Sequence, residues 1–198
     1  MAQLYFYYGT MNSGKSIEIL KVAHSYEEVN KKVLLLTSGI DDRTKIGTIS
    51  SRIGLSKEAY AVFKEDDLNG IYNLLIKAKN ENNPYDVIII DEVQFFTKEQ
   101  IIILSNFVDE LNIPILCYGL KNDFKNNLFE GSLALLAYAD KLIEIKSVCS
   151  YCNHKATMNL RLSNGKPTQH GEQIQIGGNE SYVPTCRKCY NNLTKGEI

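Results

Sequence analysis

An octapeptide near the N-terminus restricts the possible fold of this chain more than any other segment. Residues 9–16 read Gly-Thr-Met-Asn-Ser-Gly-Lys-Ser and match the pattern G-x-x-x-x-G-K-[ST]. An apolar, strand-like run at residues 4–8 precedes the octapeptide, and apolar residues with a largely helical spacing follow it over residues 16–30. A strand, a glycine-containing loop and a helix in this order predict a phosphate-binding loop.

The residue types in this loop suit the phosphates of a nucleotide. Glycines allow backbone N–H groups to turn towards phosphate oxygens, and the positive end of the following helix points at the same anion. We expect Lys15 to neutralise the outer phosphates and the Ser16 hydroxyl to ligate Mg²⁺. The predicted phosphate-binding residues are Gly9, Thr10, Met11, Asn12, Ser13, Gly14, Lys15 and Ser16.

Strand-like runs alternate with helical patterns as far as residue 145. Helices between strands impose parallel pairing, and continuously apolar strands are typical of a sheet that is covered on both faces. We therefore predict a doubly wound α/β domain over residues 1–146 and a smaller domain over residues 147–198, with the polar residues 38–57 as a long loop. The predicted strands cover residues 4–8, 32–37, 61–63, 87–90, 114–119 and 142–145, and the predicted helices cover residues 16–30, 66–80, 98–111 and 132–139.

Two adjacent carboxylates, Asp91 and Glu92, follow directly on the apolar run at residues 87–90. A phosphate-binding loop of this kind needs a second Mg²⁺ ligand at the end of a neighbouring strand, and Asp91 fits that role. Glu92 is a candidate general base with two interpretations. It could activate a water, as in P-loop ATPases, or accept the proton of a substrate hydroxyl, as in a kinase.

Four of the five cysteines form two C-x-x-C pairs, Cys149 with Cys152 and Cys186 with Cys189. Such pairs favour a tetrahedral Zn²⁺ site with four thiolate ligands. Because four cysteines leave no ligand position free, we expect the zinc to be structural. The glycine-containing stretch between the pairs is predicted to be a lid on a metal-held stem. The fifth cysteine, Cys117, lies in an apolar run and is predicted to be a core residue.

Composition argues against several classes of protein. The 198 residues carry a formal net charge of −1, which indicates no strong attraction to nucleic acid. The longest apolar runs, residues 33–36 and 87–90, are too short to cross a bilayer. The N-terminus lacks the basic segment and small-residue cleavage site of a secretory signal. A cytoplasmic protein with no membrane partner and no stable nucleic-acid partner is expected.

Taken together, these motifs closely resemble those of the thymidine kinase family of the cytosolic, zinc-containing type (type II). The resemblance covers essentially the whole chain. Its most specific parts are residues 91–96 (Asp-Glu-Val-Gln-Phe-Phe), residues 119–124 (Gly-Leu-Lys-Asn-Asp-Phe), and residues 176–178 (Ile-Gly-Gly) with Tyr182. The chain departs from the family pattern at residues 41–44 (Asp-Asp-Arg-Thr), at residues 51–52 (Ser-Arg) and at residues 122–123 (Asn-Asp).

The resemblance implies a P-loop fold of the RecA-like type with a small C-terminal zinc-ribbon lasso. It also implies transfer of the γ-phosphoryl group of ATP to the 5′-hydroxyl of thymidine in nucleotide salvage, and the methyl-sized pocket that it implies permits either thymidine or deoxyuridine. Glu92 then matches the general base, and Arg43 is a phosphate contact. A homotetramer inhibited by dTTP is implied as well. The implied nucleoside-binding residues are Met11, Phe95, Leu120, Phe124, Gln173, Ile174, Gln175, Ile176, Gly177 and Tyr182.

Two other functions are compatible with parts of the sequence. A P-loop ATPase with a DNA-binding zinc ribbon would explain Asp91 and Glu92 equally well, but it predicts a basic zinc region and further sensor motifs, neither of which is clear. A nucleotide-dependent interaction module without catalysis would leave Phe95, Phe124 and the glycine-containing loop unexplained.

Overall fold

A computed structural model describes residues 1–40, 46–173 and 182–195 of the chain. Every predicted strand and helix up to residue 145 is present, with ends that differ from the prediction by three residues or fewer. The strands are β1 Leu4–Gly9, β2 Val33–Ser38, β3 Thr48–Ser50, β4 Ser56–Glu58, β5 Tyr60–Val62, β6 Val87–Asp91, β7 Ile115–Leu120, β8 Lys141–Ile145, β9 Met158–Ser163, β10 Lys166–Pro167 and β11 Tyr182–Thr185. The helices are α1 Lys15–Glu27, α2 Asn69–Asn80, α3 Lys98–Leu111, α4 Glu130–Tyr138 and α5 Arg187–Leu193, with a 3₁₀ turn at Val93–Phe95.

Six strands form the main sheet in the order β5-β2-β6-β7-β1-β8, and all neighbouring pairs in it are parallel. The predicted parallel α/β fold is therefore confirmed. Parallel strands place their carboxyl ends at one edge, where α/β proteins bind their ligands. Gly9 at the end of β1 pairs with Leu120 at the end of β7. Asp91 ends β6, the neighbour of β7, so the phosphate-binding loop and the two carboxylates lie at the same edge.

Alternate residues of the central strands fill two separate cores. On one face, Leu34 and Leu36 belong to a cluster that includes residues of α2, α3 and α4. On the other face, Leu35 packs with Ile19 and Ala23 of α1. Successive side chains of a strand point to opposite faces, so helices on both sides explain why these strands are apolar throughout. This is the doubly wound arrangement that the sequence predicted.

The polar segment at residues 38–57 is not a continuous loop, because β3 and β4 form an antiparallel hairpin within it. Ile49 in β3 is 1% exposed and packs in the core cluster of α1. One buried side chain therefore attaches to the domain a hairpin whose other residues are exposed or half-buried. The strands have three residues each, too short for an alternating pattern to be recognised in the sequence.

The C-terminal residues form a small antiparallel sheet in the order β10-β9-β11, followed by the short helix α5. No secondary structure was predicted for this region. None of the helices in the described ranges combines the length with the apolar character that crossing a bilayer requires.

Candidate active site

The phosphate-binding loop connects β1 directly to α1. A Cβ atom at Gly9 would lie 2.4 Å from the Ser13 Oγ and 2.9 Å from the Ile145 carbonyl oxygen, so no larger residue fits there. Gly14 has a φ of +86°, in the left-handed region that favours glycine. Both glycines of the motif are thus required by the backbone path.

Two polar side chains in this loop suit an anion. Lys15 is 8% exposed, and its Nζ donates a hydrogen bond to the Thr10 carbonyl oxygen at 2.8 Å. The buried Ser13 hydroxyl has no hydrogen-bond partner in the described part of the chain. Buried polar groups are normally paired, so this hydroxyl is suited to bind an oxygen of a ligand. The loop is therefore suited to bind the phosphate groups that the sequence motif predicted.

Ser16 and Asp91 are in contact, as expected for a shared Mg²⁺ site. The Ser16 hydroxyl donates to the Asp91 Oδ2 at 3.1 Å, and hydroxyl and carboxylate oxygens are ligands that Mg²⁺ accepts. Burial and the neighbouring charge of Glu92 raise the pKa of Asp91 from 3.8 to about 7, while Lys15 opposes this shift. A bound dication would favour the ionised form of the Asp91 carboxylate. Without a cation, this carboxylate is partly protonated near neutral pH.

Glu92 is held in an unusual backbone conformation directly after β6. Its φ of 52° and ψ of 35° are left-handed values that a non-glycine residue seldom adopts. The side chain is 9% exposed, and its Oε2 accepts a hydrogen bond from the Gln94 Nε2. Strained conformations of this kind cost about 1–3 kcal/mol and cluster at functional sites, which supports Glu92 as a candidate reactive group.

Gln94 joins this carboxylate to the end of β7, a link that sequence reasoning missed. Its Oε1 accepts a hydrogen bond from the Leu120 backbone N–H at 3.0 Å, and the side chain is 2% exposed. A Cβ atom at Gly119 would lie 2.6 Å from the same Oε1, so the glycine makes room for the amide. The Gln94 amide therefore fixes the distance between Glu92 and the backbone of Leu120.

Phe124 and Tyr182, both implied as nucleoside contacts, lie together in the structure. Their ring centroids are 6.4 Å apart with planes inclined at 60°. Phe124 is 1% exposed, and the Arg161 guanidinium lies 4.8 Å from the centroid of its ring. Phe95 is half-buried and packs edge-on against Phe129 at 5.8 Å. These contacts hold the aromatic side chains in fixed orientations, and Arg161 is a neighbour that sequence reasoning missed.

Asn159 of β9 connects the phosphate-binding loop to the loop that carries Phe124. Its Oδ1 accepts a hydrogen bond from the Met11 N–H at 2.8 Å, and its Nδ2 donates to the Asn122 carbonyl oxygen at 3.0 Å. The side chain is 2% exposed. Asn159 lies 148 residues from Met11 in the chain, so the sequence contained no signal for this contact.

The four predicted zinc ligands converge. The Sγ atoms of Cys149, Cys152, Cys186 and Cys189 all lie within 4.8 Å of one another, and two of the pairs are 3.6 Å apart. Four Zn–S bonds of about 2.3 Å in a tetrahedron place sulfurs about 3.8 Å apart. The donor set and its spacing therefore fit a structural Zn²⁺.

A cleft of about 1360 Å³ beside the cysteines is lined by five cationic side chains: Lys121, Lys155, Arg187, Lys188 and Lys195. The sequence did not make this basic region evident. Lys155 is paired with Glu144 at 2.6 Å. Four thiolates around one Zn²⁺ carry a net charge of −2, which neighbouring cations offset.

Comparison with known proteins determines the family. A family model described as Thymidine kinase matches residues 2–190. The thymidine kinase of Listeria monocytogenes serovar 1/2a is 56% identical over 193 residues, covering 97% of this chain and 98% of that protein. The thymidine kinase of Streptococcus pyogenes serotype M3 is 56% identical over 192 residues, with the same coverage. This chain belongs to the thymidine kinase family.

The family resemblance read from the motifs is thus confirmed, and membership of the thymidine kinase family implies ATP and thymidine as substrates. The crystal structure of Pif1 helicase from Candida albicans aligns with 74% of this chain and 36% of its own, at 17% identity and a TM-score of 0.45. A likeness at that level is too low to support a conclusion.

Five of the residues that the resemblance implied lie outside the described residues: Arg43, Ile174, Gln175, Ile176 and Gly177. Gln173, which precedes that segment, is described, and its Nε2 donates to the Asp123 Oδ2 at 3.0 Å. Asn122 and Asp123, which depart from the family pattern, therefore both make contacts with the C-terminal region.

Proposed function

We propose that this chain transfers the γ-phosphoryl group of ATP to the 5′-hydroxyl of thymidine, giving dTMP and ADP. The observation that carries the proposal is the buried Glu92 carboxylate, which lies next to the Ser16–Asp91 pair at the end of the phosphate-binding loop. Family membership supports thymidine as the acceptor. The chain's residues then divide into three groups that bind phosphates, accept a proton and hold the nucleoside.

Phosphoryl transfer of this kind needs positioning and charge neutralisation. Lys15 and N–H groups of the phosphate-binding loop other than that of Met11, which donates to Asn159, bind the phosphates, with Arg43 as a further contact. Ser16 and Asp91 hold Mg²⁺, which neutralises charge on the β- and γ-phosphates when bound. The buried position of Lys15 and the contact between Ser16 and Asp91 support these assignments.

Glu92 acts as the general base towards the nucleoside. The 5′-oxygen of thymidine forms a bond to the γ-phosphorus, the bond from that phosphorus to the β–γ bridging oxygen breaks, and ADP leaves. The 5′-hydroxyl proton passes to the Glu92 carboxylate. Gln94 holds this carboxylate by its amide N–H and prevents it from rotating away. Because the side chain is 9% exposed, bulk water competes poorly with the alcohol for the base.

The nucleoside site is formed by aromatic and backbone groups. Phe95 and Phe124 flank the thymine ring, and stacking of this type contributes about 1–3 kcal/mol per base in single-strand binding proteins. Met11 and Leu120 lie near the thymine methyl group, residues 173–177 bind the base edge, and Tyr182 closes the segment over the nucleoside. Deoxyuridine lacks only the methyl group, so we expect it to be a weaker substrate. The contact between Phe124 and Tyr182 supports this arrangement.

The remaining features concern organisation. We assign residues 1–146 to the nucleotide-binding domain and residues 147–198 to a zinc-binding lasso domain, in a cytoplasmic enzyme with no membrane partner and no stable nucleic-acid partner. A homotetramer inhibited by dTTP is part of the proposal. β8 is an edge strand of the main sheet, and the exposed Leu142 on β8 and Leu133 on α4 provide apolar surface for subunit contact.

One assay tests the proposed reaction against the alternative of a DNA-dependent ATPase. The protein is incubated with ATP and Mg²⁺, once with thymidine and once with single-stranded DNA, and dTMP and free phosphate are measured separately. We expect dTMP in amounts equal to ADP in the first reaction and little phosphate in the second. Phosphate release that requires DNA, without dTMP formation, would reject the kinase assignment.

A further inference from the structure

Tyr190 links the cysteine cluster to the loop that carries Phe124. It lies in α5, immediately after Cys189, and its side chain is 3% exposed. Its hydroxyl donates a hydrogen bond to the Phe124 carbonyl oxygen at 2.5 Å and accepts one from the Gln169 Nε2 at 3.1 Å. One hydroxyl therefore joins three segments that are far apart in the sequence.

The loop around Phe124 is held from the C-terminal region at three consecutive residues. Asn159 binds the Asn122 carbonyl oxygen, Gln173 binds the Asp123 carboxylate, and Tyr190 binds the Phe124 carbonyl oxygen. Other hydrogen bonds of this loop close within it, such as that from the Asp123 N–H to the Asn127 carbonyl oxygen. The position of Phe124 relative to the main sheet thus depends on contacts made by residues after 147.

Of these three contacts, that of Tyr190 is the most directly tied to the metal site. Tyr190 follows a ligand, and its N–H donates to the carbonyl oxygen of another ligand, Cys186. With Zn²⁺ bound, Cys186 and Cys189 would each be held by one metal–thiolate bond, which would fix the first turn of α5 and hence the direction of the tyrosine side chain. The rigid aromatic ring of Tyr190 therefore connects the metal site directly to the backbone of Phe124.

We propose that Tyr190 is a positioning residue through which the zinc site holds Phe124 in place for the nucleoside, so that the Tyr190 hydroxyl sets affinity for thymidine and not for ATP. This inference rests on the proposed function, in which Phe124 flanks the thymine ring. The phosphate-binding loop is held by the main sheet and by Asn159, whereas the Tyr190 hydroxyl bonds to Phe124 and Gln169, so the affinity for ATP is not expected to depend on that hydroxyl.

The experiment compares Tyr190→Phe with Tyr151→Phe. The first variant keeps the buried ring and removes the hydroxyl. The second makes the same chemical change at a tyrosine that is 48% exposed between Cys149 and Cys152. For each full-length protein, bound zinc is measured by mass spectrometry, and the Kd values of thymidine and of a non-hydrolysable ATP analogue are measured by calorimetry.

Tyr190→Phe should bind thymidine about 3- to 10-fold more weakly, the range for one lost net hydrogen bond. Its zinc content and its affinity for the ATP analogue should match the wild type, and Tyr151→Phe should match in all three measurements. Gln169→Leu, which removes one of the side chains that bond to the Tyr190 hydroxyl, should weaken thymidine binding in the same direction by a smaller factor.

Three results would overturn the inference: an unchanged thymidine Kd in Tyr190→Phe, equal weakening of thymidine and the ATP analogue, or loss of zinc. Equal weakening would indicate a general structural role, and zinc loss would indicate that the hydroxyl supports the metal site. Wild-type binding separates this inference from the proposed function. A wild-type protein that fails to bind thymidine refutes the function, whereas a variant that binds it as well as the wild type refutes only the role of Tyr190.

Discussion

Asp91→Asn should stabilise the protein in the absence of Mg²⁺, although it removes a residue of the active site. Asp91 is 4% exposed and adjoins the buried carboxylate of Glu92. An asparagine at this position has the same shape and removes the charge. Its side-chain oxygen can still accept from the Glu92 N–H, and its amide N–H can donate to the Ser16 hydroxyl in place of the present bond. The substitution therefore removes a buried charge and its repulsion by the Glu92 carboxylate, and it opens no cavity.

The size of the effect follows from the pKa of Asp91, which burial and Glu92 raise from 3.8 to about 7. Since the folded protein binds this proton more tightly than the unfolded chain, the stability contributed by Asp91 is present below pH 4 and is lost as the pH rises through 7. Each pH unit in that interval corresponds to about 1.4 kcal/mol. Between pH 5.5 and pH 8 the free energy of unfolding of the wild type should therefore fall by on the order of 2 kcal/mol. The free energy of unfolding of Asp91→Asn should not show this fall.

Urea denaturation at pH 5.5, 6.5, 7.5 and 8 measures this difference. The buffers contain neither Mg²⁺ nor a chelator, so that zinc is retained. Asp109→Asn provides the control, because Asp109 is exposed on α3 and the same substitution there removes no buried charge. A constant difference between Asp91→Asn and the wild type across this range would refute the argument that a buried, repelled carboxylate destabilises the metal-free protein.

Two further substitutions test the groups around Glu92 and the metal site. Gln94→Met keeps the volume but removes the hydrogen bonds to Glu92 and to the Leu120 N–H. It should lower kcat for dTMP formation about tenfold, which is the lower end of the range for a lost hydrogen bond to a charged group. The KM for thymidine should change less than about threefold. An unchanged kcat would exclude a role for the amide. Cys186→Ser removes one of four thiolates, so bound zinc and the urea midpoint should fall and KM for thymidine should rise. Full zinc content with normal kinetics in that variant would show that this ligand is dispensable.

The main sheet was predictable because its signals are local. Each of its strands is a short apolar run, and a helical pattern separates most of them. The small errors at helix ends have identifiable causes. α1 ends at Glu27, and Asn30 beyond it adopts a left-handed φ of 58°. α2 begins only at Asn69, because the side chains of Asp66 and Asp67 bind backbone N–H groups of the preceding loop and of Asn69.

The contacts that complete the candidate site were not predictable, because they join residues far apart in the chain. Gln94 reaches the Leu120 backbone across 26 residues, Tyr190 reaches Phe124 across 66, and Asn159 reaches Met11 across 148. Each of these side chains is polar and nearly fully buried. Nothing in a local sequence pattern distinguishes such a residue from a solvated one. The cysteine pairs and the phosphate-binding loop, by contrast, are recognised from the spacing of their residues along the sequence.

The proposed reaction depends most on Glu92 as the base that accepts the 5′-hydroxyl proton of thymidine. The most direct measurement is the single-turnover rate of phosphoryl transfer from labelled ATP to thymidine in the wild type and in Glu92→Gln, with thymidine affinity measured on the same samples. Loss of general-base catalysis should slow transfer about 10²-fold or more, while the Kd of thymidine stays within about threefold. A variant that transfers phosphate at the wild-type rate would contradict the assignment.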